Sequence, residues 1–193
     1  MKLSPFNRPT SMDKELLASV IEEGDIVIDA TCGNGYDTFF LAEKVGDSGK
    51  VYAFDVQSSA IETTNKRLYD NGLSDRVKLV NQGHENIKEI VDEQVTCIMF
   101  NLGYLPGSDK KVVTQPKSTI QAIEHGLDLL EPSGLMTIVV YPGHETGNKE
   151  AVSVEQFIST ISQEMFDVRK INILNYRNNP PYLIGIHKKE AKK

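Results

Sequence analysis

The sequence predicts a three-layer α/β fold: a seven-stranded, mostly parallel sheet between helix layers, with an antiparallel hairpin at one edge. Three observations carry that expectation. Strand-like and helix-like segments alternate through five units, which implies parallel pairing and right-handed crossovers. The run Asp25-Ile-Val-Ile-Asp29-Ala-Thr-Cys-Gly33-Asn-Gly35-Tyr-Asp37-Thr38 passes from an apolar strand through a glycine turn straight into a helix. The last two strand-like segments, Val168–Leu174 and Tyr182–His187, have no helix between them and are joined only by Asn175–Pro181.

Taken in order, the first helix is expected near Thr10, where Thr10-Ser-Met-Asp13 has capping-box form and Leu16, Leu17, Val20 and Ile21 share a face. Strand Ile26–Ala30 and helix Tyr36–Val45 flank the glycine turn. Asp47-Ser-Gly49 turns into strand Val51–Asp55, and helix Ser58–Asn71 stops at Asn71-Gly72. Strand Val77–Asn81 and a short helix from Glu85 follow. Strand Val95–Leu102 holds the unbroken apolar stretch Cys97-Ile-Met-Phe100, as a strand buried on both faces should. A loop, Gly103–Lys117, leads to helix Ser118–Leu130, and Pro132-Ser-Gly134 turns into strand Leu135–Tyr141. A second loop, Pro142–Lys149, precedes helix Glu150–Glu164.

A chain of 193 residues suits one such domain, taken as residues 1–193, and is short for two. No apolar run approaches the roughly 20 residues that span a bilayer, and the N-terminus lacks a signal-peptide core. No membrane partner is expected, and a cytoplasmic location is. Cys32 and Cys97 have no metal-ligand spacing and read as small packing residues, so no metal is expected. The net charge of −6 argues against an unspecific grip on nucleic acid, although Lys110, Lys111 and Lys117 form a local basic group.

In an open α/β sheet, ligands dock beyond the carboxyl ends of the strands. The segments expected there are rich in Gly, Asn, Asp, His, Pro and Tyr. Gly33 and Gly35 allow close backbone approach, but the third glycine of a dinucleotide turn is missing. Asn34 lies in the turn, and Asp37 and Thr38 place a carboxylate and a hydroxyl at the helix start, which suits an ammonium group better than a pyrophosphate. Asp55 ends the second strand where ribose hydroxyls would lie, with Gln57 close behind, and His84 follows the third strand near the expected base. Together these residues point to S-adenosyl-L-methionine rather than NAD.

Asn101-Leu-Gly-Tyr104-Leu-Pro106 ends the fourth strand and resembles the Asn-Pro-Pro-Tyr arrangement of methyltransferases acting on amines attached to nucleobases. Side-chain and backbone carbonyls there accept the amine N–H bonds and aim its lone pair at the methyl group. Tyr141-Pro-Gly-His144 flanks the same region; His144 could take a proton or meet a phosphate. Asn178, in the polar turn before the last strand, is a further candidate substrate contact.

Over nearly the whole chain, from about Lys14 to Lys188, the blocks Asp29–Thr38, Ala53-Phe-Asp-Val-Gln57, Gly83-His-Glu85, Phe100–Gly107, Asp109-Lys110, Ser118–Ile123 and Tyr141–His144 resemble one bacterial family. It was long labelled an rRNA methylase family; its members are understood as tRNA methyltransferases converting wobble 5-aminomethyl-2-thiouridine to 5-methylaminomethyl-2-thiouridine. The resemblance implies a Rossmann-like class I methyltransferase fold and cofactor contacts by Asn34, Asp37, Asp55, Gln57 and His84. It also implies that Asn101 sits beside the methyl group, with the following loop facing the tRNA. The sequence departs from the family at Tyr141-Pro142 and at Asn175–Asn178, which leaves substrate contacts there open.

The resulting expectation is a tRNA-modifying N-methyltransferase. Asn101, Tyr104 and His144 would serve catalysis. Asn34, Gly35, Asp37, Thr38, Asp55, Gln57 and His84 would hold the cofactor, and Lys110, Lys111, Lys117, Tyr141 and Asn178 the RNA. The partner is the anticodon stem-loop, and a homodimer is the assembly considered. An rRNA or small-molecule amine acceptor is the alternative substrate. An NAD-dependent oxidoreductase would need the complete glycine turn and no edge hairpin. A non-catalytic scaffold fits poorly with Asn101 and Tyr104 in place.

Overall fold

In the computed structural model, residues 8–103, 113–143, 145–176 and 178–190 are described. The elements are α1 (Pro9–Ala18), β1 (Ile26–Asp29), α2 (Tyr36–Val45), β2 (Lys50–Phe54), α3 (Ser58–Asp70), β3 (Val77–Val80), α4 (Ile87–Ile90), β4 (Val95–Asn101), α5 (Pro116–Leu129), β5 (Leu130–Val140), α6 (Glu145–Ile158), β6 (Phe166–Ile171) and β7 (Tyr182–Lys188). The strands form a seven-stranded sheet in the order β3-β2-β1-β4-β5-β7-β6. β1–β2, β2–β3, β1–β4 and β4–β5 pair in parallel. β7 pairs antiparallel with both β5 and β6, so the expected edge hairpin is present with β7 tucked inside β6.

The alternation of β4 builds both faces of the core. Ile98 and Phe100 point toward α4, α5 and α6, packing with Ile87, Ile123 and Val154. Cys97 and Met99 point the other way, toward Leu17 of α1, Leu41 of α2 and Leu68 of α3. Helices thus cover both faces, as parallel strands require. Phe100 is wholly buried. Phe100→Ala is therefore expected to cost about 3–5 kcal/mol, read as a lowered urea midpoint with an unchanged slope.

Several expected boundaries shift, each for a local reason. Helix α1 starts at Pro9, whose preset backbone suits the first helical position, and the Thr10–Asp13 capping box is not used. Instead Asp13 turns into the interior. Helix α6 begins at Glu145, not Glu150. An acidic residue is favourable in its first turn, and Glu145 pairs with Lys149 at 2.8 Å. It ends at Ile158 because the Ser159 and Thr160 hydroxyls donate to the carbonyls of Glu155 and Phe157 at 2.7 Å each, competing with the helical ladder. The Pro132-Ser-Gly134 turn is absorbed into β5 as an irregularity opposite Val95–Cys97, with Ser133 at φ 68°.

Candidate active site

The turn after β1 is held by carboxylates rather than by glycines alone. Asp29, wholly buried at the strand end, accepts hydrogen bonds from the Thr31 N–H at 3.1 Å and the Thr38 hydroxyl at 2.6 Å. Thr38 is therefore a buried brace for Asp29 and does not line the cleft, which corrects the expectation that it faces a cofactor. Its place on α2 makes it point back under the turn. Asp55 accepts from the Gly33 N–H at 3.0 Å through one oxygen and from the Gln57 N–H at 2.9 Å through the other, tying the turns after β1 and β2 together. Gly33 and Gly35 adopt φ of 52° and 77°, a region that favours glycine. A Cβ on Gly35 would lie 2.7 Å from the Thr64 hydroxyl. Gly35 thus acts through backbone shape and close packing, not as a lining residue.

Above the carboxyl ends of the strands lies a cavity of about 900 Å³. That is near the upper end of the range for small-molecule sites, room for a nucleoside cofactor and part of an acceptor. Asn34, Asp37, Asp55, Gln57 and His84 line the half over β1, β2 and β3; Asn101 and Tyr141 line the half over β4 and β5. The sequence-predicted residues from five separate strand ends thus converge on one cleft.

His84 is buried, and its Nδ1 lies 3.2 Å from the Ala30 carbonyl, which makes Nδ1 the protonated nitrogen in the neutral ring. Burial pushes its pKa down, so the ring is neutral at pH 7, and its edge packs on Phe100. The remaining nitrogen, Nε2, is a buried acceptor with no partner among the described residues. An acceptor of that kind fits the exocyclic amine of an adenine. The backbone cradle at Gly33 and the Asp55 carboxylate likewise fit the rest of S-adenosylmethionine.

The acceptor side is organised around Asp37. One of its oxygens takes an ion pair from Lys14 Nζ at 2.8 Å; the other accepts from the Asn101 side-chain amide at 3.2 Å. The Asn101 backbone N–H donates to the Thr31 hydroxyl at 2.8 Å. With its NH2 drawn to a carboxylate, Asn101 keeps its side-chain carbonyl for another donor. Tyr141 is half-buried, and burial followed by the charges of Asp37 and Asp13 raises its phenol pKa.

Two residues here escaped sequence reasoning. Asp13, on α1, is wholly buried with the Thr137 hydroxyl as its polar neighbour. Burial, then the charges of Asp37 and Asp29, push its carboxyl up to about 7. Burial and Asp37 push Asp29 up to about 7 as well. Lys14 is the cation beside this acidic group. The missed pattern was spacing: Asp13 stands one helical turn before Leu17, the buried apolar residue of α1. Cys32 and Cys97 are buried free thiols whose pKa values burial raises, that of Cys97 to about 12, consistent with packing roles.

Beyond β4, Gly103 and Thr114 are bonded to each other: the Thr114 N–H donates to the Gly103 carbonyl at 3.0 Å, and the Gly103 N–H to the Thr114 hydroxyl at 2.9 Å. That hydroxyl and the Thr119 hydroxyl both donate to the buried Glu150 carboxylate at 2.7 Å. Tyr104, Lys110, Lys111 and His144 lie outside the described residues. Lys117 is exposed on the first turn of α5 and outside the cavity lining, where Gln115 and Ser118 stand instead. Asn178 lines an adjacent groove, and it is Asn179 that reaches the cavity.

A cleft over β1–β3 with Asn101 at its β4 end, in a sheet ending β5-β7-β6, is the layout of an S-adenosylmethionine-dependent class I methyltransferase. The chain belongs to the family described as "Putative rRNA methylase", which matches residues 51–187. A chloroplastic protein of Arabidopsis thaliana named tRNA (mnm(5)s(2)U34)-methyltransferase is 41% identical over 182 residues. The match takes in 89% of this chain and 66% of that protein, so the chain spans just under two thirds of that relative's length. A Clostridium thermocellum structure described as an rRNA methylase superposes with a TM-score of 0.94 at 41% identity, covering 96% of this chain and 100% of the other. A Streptococcus mutans methyltransferase solved in complex with SAH superposes with a TM-score of 0.87 at 39% identity, covering 95% of this chain and 99% of the other.

Proposed function

We propose that this protein is a single-domain N-methyltransferase that converts the aminomethyl group of tRNA wobble 5-aminomethyl-2-thiouridine to methylaminomethyl. The observation that carries this reading is Asn101: its amide nitrogen is drawn to Asp37, which leaves its carbonyl oxygen to accept an amine N–H in the cavity. The likeness to the Arabidopsis tRNA methyltransferase supports the choice of amine.

S-adenosylmethionine supplies a methyl group already activated on a sulfonium. In this reading Asp55 grips the ribose hydroxyls with its remaining lone pairs, Gln57 and His84 Nε2 meet the adenine, and Asn34 and Asp37 face the aminoacyl end. Asn101 orients the acceptor nitrogen so that its lone pair lies in line with the methyl carbon, which is catalysis by positioning. The nitrogen must arrive neutral, and a cleft that excludes water disfavours its ammonium form. Tyr104 and Tyr141 would enclose the acceptor, and His144 take its proton. The anticodon stem-loop would approach over Lys110, Lys111 and Lys117, and the enzyme would act in the cytoplasm, as a homodimer if two sites engage one assembly.

Mass spectrometry of wobble nucleosides from cells lacking the gene tests the substrate. Accumulated 5-aminomethyl-2-thiouridine, converted on adding the purified protein and cofactor, is the expected result. An unchanged nucleoside profile would retire the tRNA reading in favour of a small-molecule amine, which the net charge of −6 would suit.

A further inference from the structure

Next to the cavity, on the side away from the cofactor half, a groove of about 290 Å³ runs between α6 and the segment joining β6 to β7. Its walls carry four asparagines, Asn148, Asn172, Asn178 and Asn179, and the aromatic ring of Tyr176. All four asparagines are exposed, and none of their side-chain amides makes a hydrogen bond to another described residue. Tyr176 is 62% exposed. Three of these asparagines and Tyr176 stand on one short connection, where no hydrogen bond among the described residues ties up their amides and they are open to a ligand.

The groove's charges cancel. Lys170 Nζ pairs with Glu155 at 2.7 Å and lies 4.2 Å over the Tyr182 ring, and the Tyr182 hydroxyl donates to the same Glu155. Among the described residues lining the groove no other cation is present. Among the described residues of the groove a phosphate finds no free positive charge. A nucleobase would find amides that donate and accept on its polar edges and a ring on which to stack, the two means by which unpaired RNA bases are read.

Position selects the occupant further. Asn179 lines both the cavity and the groove, and the neighbouring residues Pro142 and Gly143 line the groove and the cavity respectively. Sheet order runs from the cofactor half over β1–β3, through the acceptor end over β4 and β5, to this groove beside β7 and β6. A nucleotide whose modified base enters the cavity from solvent can lay a neighbour across this rim.

We propose that the α6/β6–β7 groove binds the unpaired nucleobase flanking the target uridine, stacked on Tyr176 and hydrogen-bonded by Asn172 and Asn178. This rests on the acceptor being part of an RNA. The test uses a synthetic anticodon stem-loop carrying 5-aminomethyl-2-thiouridine, with 2-aminopurine on one or the other side of it. Titrating in the full-length protein is expected to quench the probe at one of the two positions. Tyr176→Leu should abolish the quenching and weaken RNA binding about 10-fold, while Tyr176→Phe keeps both. Asn172→Ala with Asn178→Ala should raise KM for the stem-loop and leave kcat and cofactor affinity within about 2-fold of the parent. Absent quenching at both positions, or equal loss in Tyr176→Phe and Tyr176→Leu, would overturn the proposal. Quenching of an RNA that the enzyme does not methylate would keep the groove and retire the wobble amine as acceptor.

Discussion

Asn101→Ala is expected to lower kcat for methyl transfer by about 100-fold or more, while the cofactor Kd changes by no more than a few-fold. The asymmetry follows from where the side chain stands. It lies over β4, across the cleft from Asp55 and His84, and its one described side-chain bond is to Asp37. Deleting it leaves the backbone bond from residue 101 to the Thr31 hydroxyl intact, so the strand end stays in place. What disappears is the carbonyl proposed to fix the acceptor nitrogen, and methyl transfer depends on alignment more than on acid or base assistance. Calorimetry with S-adenosylhomocysteine and single-turnover methylation separate the two effects. Equal losses in both would remove Asn101 from the acceptor side and place it with the cofactor.

Asp13→Asn is expected to stabilise the protein by about 2–3 kcal/mol more at pH 8 than at pH 5. Burial holds the Asp13 carboxyl up to about 7, against about 3.9 in the unfolded chain. The folded state therefore binds a proton that the unfolded state has released. Its relative stability is present below the unfolded value and is lost as pH rises toward 7. Ionising Asp13 above that range also sets it against Asp37 and Asp29, with Lys14 as the opposing charge. An asparagine keeps the shape and removes that cost. Urea titrations at the two pH values read the difference; the same gain at both would mean that the buried carboxylate is not the source. At pH 8, where Asp13 is ionised, the variant should also bind the cationic cofactor a few-fold more weakly, since one of the charges near Asp37 is gone, a trade of stability against function.

The cofactor half of the site was legible along the chain because its logic is short-range. A glycine turn between strand and helix, a carboxylate at the end of the next strand and a histidine after the third are local patterns, and a parallel sheet brings strand ends together whatever their sequence separation. Gly33, Asp55, Gln57 and His84 therefore met as expected. Thr38 did not reach the cleft because one residue along a helix rotates a side chain by about 100°, enough to turn it from the cavity to Asp29. Asn178 faces the adjacent groove while Asn179 reaches the cavity for the same kind of reason at a turn, where neighbouring side chains diverge. The start of α6 was read late because Gly and Asn in Glu145–Lys149 look like a loop until the helix packs.

What the sequence by itself determined is the order of strands and helices, the edge hairpin, the glycine turn and the residue types at the strand ends. These follow from periodicity and backbone restriction, which act over a few residues. The tertiary structure decided what each of those residues does. Docking α1 against β5 and β7 buries Asp13 and sets Lys14 on Asp37; the parallel pairing of β1 with β4 sets Asp37 on Asn101. Those contacts join residues far apart in the chain, and a carboxylate's partner, burial and protonation depend on what surrounds it rather than on what precedes it.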